Sequence, residues 1–245
     1  MGDVKIAFID CETTPLISYH WGTFDQTINP NNIINDRQIL CIAWKILGEK
    51  SVRGVRVGAD KTERQMIAEF RAAMEDVNVL VAHNLPFDYR HINAKLIEHD
   101  LPPLPKQNFI DTLKAVKRVA KFSSNRLDFL CGKLLGRRKI ETDMDLWKDS
   151  MAGDEKALSR MLRYCKNDVE LLEALYLRLR PYMFSHPNVA AVDTTQCPRC
   201  ASDGYTVNKT YRTLTGIERV HVRCVACATP YTLGARRSPR PISAG

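Results

Sequence analysis

Asp10 and Glu12 in Ile9-Asp10-Cys11-Glu12-Thr13-Thr14, Asp88 in His83-Asn84-Leu85-Pro86-Phe87-Asp88, and Tyr164 and Asp168 in Tyr164-Cys165-Lys166-Asn167-Asp168 are spread over nearly 160 positions, yet their types suit one piece of chemistry. Carboxylates gathered in one place repel one another unless cations lie between them, and hard oxygen donors favour Mg²⁺ or Mn²⁺. Two such ions about 3.5–4 Å apart can aim a hydroxide at phosphorus and compensate the charge on the leaving 3′ oxygen of a phosphodiester. In such a site Asp10 is the bridging ligand on a rigid strand, and Glu12 and Asp168 complete the shell of the first ion. Asp88 serves the second ion, through water if need be, and Tyr164 orients the attacking water. Taken singly each residue has a plainer explanation: Asp10 as a turn former, Asp88 as helix decoration, Tyr164 and Asp168 as a solvated helix face. Taken together they fit one geometry.

The pattern of apolar residues says what must position them. Val4 to Ile9 is a buried strand bounded by polar residues, and alternation then turns Asp10 and Glu12 to one face and Cys11 to the opposite, core side. Pro15 to Asp36 has no periodicity and is expected to be a long functional loop carrying Trp21 and Phe24. Ile39 to Ile46 and Ser51 to Val57 read as a hairpin across Gly48-Glu49-Lys50. Asp60-Lys61-Thr62-Glu63 resembles a capping box ahead of helically spaced Met66, Ile67, Phe70, Ala73 and Met74. Val77 to Ala82 is a further strand, and Asp88 sits on the helix after it, with Pro86 in the first turn. A short strand at Phe109 and Ile110 precedes a helix from Leu113; Ser123-Ser124-Asn125 can cap the next, which stops at Gly136. The longest helix runs from about Asp154 to Arg180, and its spacing of four puts Tyr164 and Asp168 one turn apart on one side. The fold class is α/β: a mixed five-stranded sheet flanked by helices.

With 44% apolar and 26% charged residues over 245 positions, the chain suits one well-buried domain and a small appendage. The net charge of +8 is uneven: +3 over residues 1–192 and +5 over residues 193–245. A polyanionic partner fits that balance. No basic segment followed by an apolar stretch opens the sequence, and no apolar run approaches the roughly 20 residues of a membrane span, so a cytoplasmic protein without membrane contact is expected. In a reducing compartment, cysteines spaced as two Cys-x-x-Cys pairs favour metal over disulfides. Cys197, Cys200, Cys224 and Cys227, the pairs 23 residues apart, can close a tetrahedral structural Zn²⁺ site, and the short alternating strands between them resemble a zinc ribbon. So small a module needs its metal to fold. His221 is surplus to the four thiolates. Lys209, Arg212, Arg219 and Arg223, with Arg236, Arg237 and Arg240 beyond, suit phosphates, and docking of a protein remains an equal alternative.

Asp10-Cys11-Glu12-Thr13-Thr14, His83-Asn84 with Phe87-Asp88, Asp111-Thr112-Leu113, and Tyr164 with Asp168-Val169 resemble the motifs of the DnaQ-like (DEDD) 3′→5′ exonucleases of the tyrosine branch, and among them the exonuclease domains of family B DNA polymerases. The resemblance covers roughly residues 3–180, and the order and spacing of three motifs make it specific. It implies an RNase H-like fold, two Mg²⁺ or Mn²⁺ ions and removal of nucleotides from a 3′ end. It makes Asp111 a structural position, and it assigns Thr13 to contact with the terminal nucleotide. Pro15 stands where relatives often have Gly, which alters the shape of the loop that meets substrate. Trp21, Phe24 and Phe87 can stack on terminal bases, although Phe87 equally suits a core, and Arg137-Arg138-Lys139 can line the strand's path or form a solvated turn. His83 can touch substrate or cap a strand end.

The expected organisation is an exonuclease domain over 1–185, a zinc-ribbon-like module over 193–234 and a disordered basic tail over 235–245. The expected activity is hydrolysis of single-stranded 3′ ends, DNA before RNA, in end processing or in proofreading beside a separate polymerase or replication protein. The alternatives are an exoribonuclease and a non-catalytic, zinc-dependent adaptor.

Overall fold

Ile6, Ala7, Phe8 and Ile9 are all buried because the strand they begin, β1 (Ile6–Thr13), lies inside a sheet with both faces covered. The computed structural model describes residues 4–190 and 195–233. After β1 come β2 (Ile17–Ser18), β3 (Ile33–Asn35), β4 (Ile39–Ile46), β5 (Arg53–Arg56), α1 (Glu63–Ala73), β6 (Val79–Ala82), α2 (Leu85–Glu98) and β7 (Asn108–Asp111). Four helices follow: α3 (Thr112–Val119), α4 (Leu127–Leu135), α5 (Met144–Met151) and α6 (Glu155–Leu179). The main sheet has five strands in the order β5-β4-β1-β6-β7. β1 pairs antiparallel with β4 and parallel with β6, so the sheet is mixed and flanked by helices, the α/β architecture that the apolar pattern implied.

Each face of β1 has its own partner. Ala7, Ile9 and Cys11 join Ile42, Trp44 and Leu80 in a core closed by Met66, Ile67 and Phe70 of α1 and Ile92 and Leu96 of α2. On the other face Phe8 meets Tyr176 of α6 edge-on at 5.2 Å between ring centroids, and both are fully buried. Such a pair contributes roughly 0.5–1.5 kcal/mol beyond its buried area. Cys165 donates to the Asp10 carbonyl at 3.2 Å, and Lys45 of β4 pairs with Glu173 at 2.6 Å, so α6 is tied along this face by apolar and polar contacts together.

Local details differ from the sequence pattern at four places. The capping box lies two residues later than Asp60: Thr62 accepts from the backbone of Gln65, whose side chain accepts from the Thr62 N–H. Its hydroxyl four-residue box, Thr-x-x-Gln, is the better match to that geometry. Segment 15–36 is not structureless; β2 and β3 pair in a short ribbon that satisfies part of its backbone. The residue before α4 is Arg126, with no side-chain cap, and Ser124 accepts only from the Arg126 N–H at 3.3 Å. α5, capped by Asp143 on the Leu146 N–H, was not distinguished from the polar residues around it.

The described residues group into two compact units, Lys5–Leu177 and a smaller one of Val4 with residues 178 onward. In the smaller unit β8 (Tyr205–Arg212), β9 (Glu218–Cys224) and β10 (Pro230–Thr232) form an antiparallel sheet in the order β10-β9-β8. One buried cluster of this unit gathers Cys197, Cys224, Cys227, Val222 and Tyr231. The basic end with Arg236, Arg237 and Arg240 lies outside the described residues. Among the described residues no helix is long and apolar enough to cross a membrane.

Candidate active site

Phe8, Asp10 and Glu12 alternate along one face of β1, and Tyr164, Asp168 and Tyr176 recur at multiples of four along α6. The Phe8–Tyr176 contact that seats the helix on the strand therefore also sets Asp168 against Asp10 and Glu12. Oxygens of these three carboxylates all lie within 4.8 Å of one another. Asp88 stands beside the trio without joining it. Pairing of β1 with β6 stops at Phe8, which frees the Cys11 N–H, and Asp88 in the first turn of α2 accepts from it at 3.0 Å while only 3% exposed.

So many acids in so little water shift their titration upward. Burial, then the carboxylates of Asp88, Glu12 and Asp168, hold Asp10 well above the usual carboxylate range. Burial and the Asp168 charge push Glu12 up to about 8. Burial lifts Asp88 to about 7 against the opposing hydrogen bond from Cys11, and burial also raises Asp168. One oxygen of Asp10 and one of Asp168 are sealed from solvent with no hydrogen-bond partner. Buried acceptors are nearly always satisfied, and unpaired oxygens on adjacent buried acids suit the ligands of a divalent cation. The residues fit the metal.

Lys139 supplies the positive charge that the sequence alone did not single out. Its Nζ donates to Asp168 and, at 3.2 Å, to the Tyr164 hydroxyl. Burial works against its ammonium, but the Asp168 carboxylate, with Tyr164 and Asp10, raises its pKa above the ordinary lysine value. In the sequence it is the last of Arg137-Arg138-Lys139, and nothing in a basic run tells which member turns inward. Gly136 decides it: with φ +66 it ends α4 in the left-handed conformation that glycine adopts at no cost. The chain then doubles back, and the Lys139 N–H donates to Asp128 at 2.9 Å. Arg138 pairs with Asp128 at 2.7 Å and Arg137 with Glu170 at 3.5 Å, both on the outer surface.

Beside Asp10 opens a cleft of about 680 Å³ lined by His83, Lys117, Asn125, Arg126 and Lys139 among others. Of the basic run expected along the strand's path only Lys139 is among its lining residues; Arg137 and Arg138, the side chains of Trp21, Phe24 and Phe87, and Thr13, expected to act through its backbone, are not. Trp21 and Phe24 are almost entirely exposed, and Phe87 lies edge-on to His91 at 4.6 Å. The Thr13 carbonyl accepts from the indole of Trp147 at 3.2 Å, and that ring also lies 6.2 Å from Tyr164, so α5 braces both. His83 is held at the end of β6: Nε2 reaches the Asn125 carbonyl at 2.8 Å and Nδ1 the Thr112 hydroxyl at 2.9 Å, while the ring borders the cleft. Burial lowers its pKa, which keeps it neutral. Asp111 caps α3 through the Leu113 and Lys114 N–H groups and also accepts from Asn84.

The smaller unit holds the second cluster. The Sγ atoms of Cys197, Cys200, Cys224 and Cys227 all lie within 4.8 Å of one another, with Cys197 to Cys227 and Cys200 to Cys224 each 3.6 Å. That is too long for a disulfide and close to the edge of about 3.8 Å of a thiolate tetrahedron around Zn²⁺. The two pairs make the same turn: Ala201 bonds back to the Cys197 carbonyl and Ala228 to that of Cys224, and both alanines have positive φ, 56° and 58°. Burial raises the thiols of Cys197 and Cys200, whereas hydrogen bonding with Thr229 brings that of Cys227 down to about 7 against its burial.

No curated protein matches the sequence. The structure of a family B DNA polymerase from the hyperthermophilic archaeon Pyrobaculum calidifontis is similar over 74% of this chain, with a TM-score of 0.54 and 14% identity, which shows a shared fold. The chain spans a quarter of that polymerase's length. A family model described as a 3′-5′ exonuclease matches residues 32–183, from the strand ahead of β4 through the end of α6 and so over Asp88, Tyr164 and Asp168, leaving Asp10 and Glu12 to be placed by the fold. The chain belongs to the 3′-5′ exonuclease family and is a metal-dependent exonuclease.

Proposed function

We propose that the protein hydrolyses the terminal phosphodiester at the 3′ end of single-stranded nucleic acid, DNA before RNA, and releases nucleoside 5′-monophosphates. The observation that carries this reading is the convergence of Asp10, Glu12 and Asp168, with sealed and unpaired oxygens, beside Asp88 and Tyr164. Asp10, Glu12 and Asp168 would hold one ion, and Asp88 beside them would serve the second. Mg²⁺ or Mn²⁺ bound there would supply Lewis acidity at the scissile phosphate and a hydroxide at neutral pH. The chain's own residues do the rest. Burial and Asp168 raise the Tyr164 hydroxyl to about 12, so it stays protonated and orients water as a hydrogen-bonding group rather than as a base. Lys139 stays charged, offsets part of the repulsion among the acids and fixes the rotamer of Asp168. Lys117, Arg126 and Lys139 make the cleft attractive to a phosphate backbone.

Preference for DNA is supported by the likeness to a DNA polymerase. In this reading the Thr13 backbone would meet the terminal nucleotide, and Trp21 and Phe24, exposed within segment 15–36, would stack on incoming bases. The same reading divides the chain into an exonuclease domain over 1–185, a structural zinc module over 193–234 and a basic tail over 235–245. It locates the protein in the cytoplasm, beside a separate polymerase or replication protein. Strands of equal sequence in DNA and RNA, labelled at either end, test it in Mg²⁺, Mn²⁺ and no added metal. A metal-dependent ladder that shortens from the 3′ end, faster on DNA, is expected. Faster loss of RNA would turn the reading to an exoribonuclease, and intact strands in every lane would end it.

A further inference from the structure

Strict alternation along β8 would place Lys209 and Tyr211 with Tyr205 and Val207, on the side of the cysteine cluster. The strand does not alternate strictly. Val207 faces Val222 across to β9, but Lys209 faces His221, so one extra residue is accommodated between them. Such a bulge re-aims every side chain beyond it. Tyr205 and Val207 stay opposite Cys224 and buried Val222, on the inner face. Lys209 and Tyr211 pass to the outer face with Arg219 and Arg223 of β9, and the Lys209 ammonium lies 5.7 Å from the Tyr211 ring centroid. Arg212 goes the other way, opposite Glu218.

The outer face thus carries Lys209 and Arg219 beside Tyr211, Arg223 further along β9, and no carboxylate among the described residues. The two carboxylates among the described residues of this unit are Asp203, ahead of β8, and Glu218, on the inner side. Arg219 and Arg223 are four residues apart on one strand, about 13 Å, in a row that an extended polyanion can follow. A protein-docking patch is built around a desolvated apolar centre, and this face lacks one: Val207 lies on the opposite face, and Thr206, Thr232 and exposed Pro230 fill the positions beside Arg223 and His221. Cations flanking an exposed aromatic ring on a rigid sheet suit single-stranded nucleic acid, the phosphates on the cations and a base on the ring.

We propose that the outer face of β8 and β9, formed by Lys209, Tyr211, Arg219 and Arg223, is a second, sequence-independent binding site for single-stranded nucleic acid, separate from the carboxylate site. The proposal rests on the exonuclease reading only for the identity of the polyanion. Its test is the anisotropy of a labelled oligothymidylate titrated with the full zinc-loaded chain across a salt series, every sample carrying Asp10→Asn to prevent cleavage. Removing three phosphate contacts in K209A/R219A/R223A is expected to lower the slope of log affinity against log salt by about two and weaken binding roughly tenfold or more. Arg212→Ala, on the other face, leaves the slope unchanged. Tyr211→Ala weakens binding at every salt concentration without changing the slope.

Zinc content equal to that of the parent shows that the triple variant has folded; should it lose zinc, single substitutions replace it, each expected to lower the slope by roughly 0.7. An unchanged slope overturns the proposal, as does loss of polyglutamate binding with oligonucleotide binding intact, which would mark the face as a protein site. Hydrolysis by the native chain is scored separately: salt-dependent binding lost in the triple variant but no hydrolysis would refute the exonuclease reading and leave this face standing.

Discussion

Asp10 and Asp168 each bring a sealed, unpaired oxygen to the site, and neither oxygen has another evident purpose. Asp10→Ala or Asp168→Ala is expected to slow hydrolysis by roughly a thousandfold or more while oligonucleotide affinity is retained, as measured by single-turnover cleavage beside anisotropy. Tyr164→Phe removes one oriented hydrogen bond and leaves the packing on Trp147, so a loss of roughly tenfold to a hundredfold is expected; native turnover would remove Tyr164 from the reaction. Lys139 pulls down the pKa values of Asp10, Glu12 and Asp168. In Lys139→Met those acids hold their protons to higher pH, so the acidic limb of the pH–rate profile should move upward. A limb that stays in place would show that the ammonium does not act on the acids electrostatically.

At the scale of elements, the site depends on how closely α6 lies on the sheet. Gly54 in β5 marks the approach: a Cβ there would lie 2.9 Å from a Leu162 methyl of α6 and 3.1 Å from the Ile42 carbonyl oxygen. The methyl can turn aside, but the backbone oxygen of a central strand cannot. Gly54→Ala is therefore expected to cost about 1–3 kcal/mol, read as a lower denaturant midpoint. Because α6 carries Tyr164 and Asp168, hydrolysis should fall with it, whereas an unchanged midpoint would mean the helix floats on the sheet. The elements themselves were largely legible. β1, the hairpin of β4 and β5, α2 with Pro86 in its first turn, and the long α6 all announce themselves by period or by punctuation. α5 did not, since Met144 to Met151 buries only Leu146 and Ser150 and so has hardly any apolar period to read.

For the molecule as a whole, the buried acids link stability to pH. Glu12 titrates at about 8 and Asp88 at about 7 in the folded protein, against ordinary values near 4 in the unfolded chain. Between those limits the folded state holds protons that the unfolded state has released, so stability falls as pH rises through the window. A divalent ion binds the deprotonated acids and offsets this loss. Protein freed of Mg²⁺ should therefore melt at a lower temperature at pH 8 than at pH 6, and added Mg²⁺ should raise the melting temperature more at pH 8. A differential scanning fluorimetry series that shows equal stabilisation at both pH values would contradict the shared site.

The sequence by itself brought out the class of fold and the acids and cysteines that the fold gathers into two clusters, because both are written in local patterns: alternation along a strand, a spacing of four on a helix, two Cys-x-x-Cys pairs. Where a long side chain ends up is not local. Lys139 reaches the carboxylates because Gly136 turns the chain back and Asp128 catches its N–H; Trp147 braces Tyr164 because α5 packs there; Lys209 faces outward because of one bulge. In each case a residue's direction is set by contacts distant in sequence, or by a single irregularity whose effect appears only after the strands have paired, so tertiary structure alone could decide it.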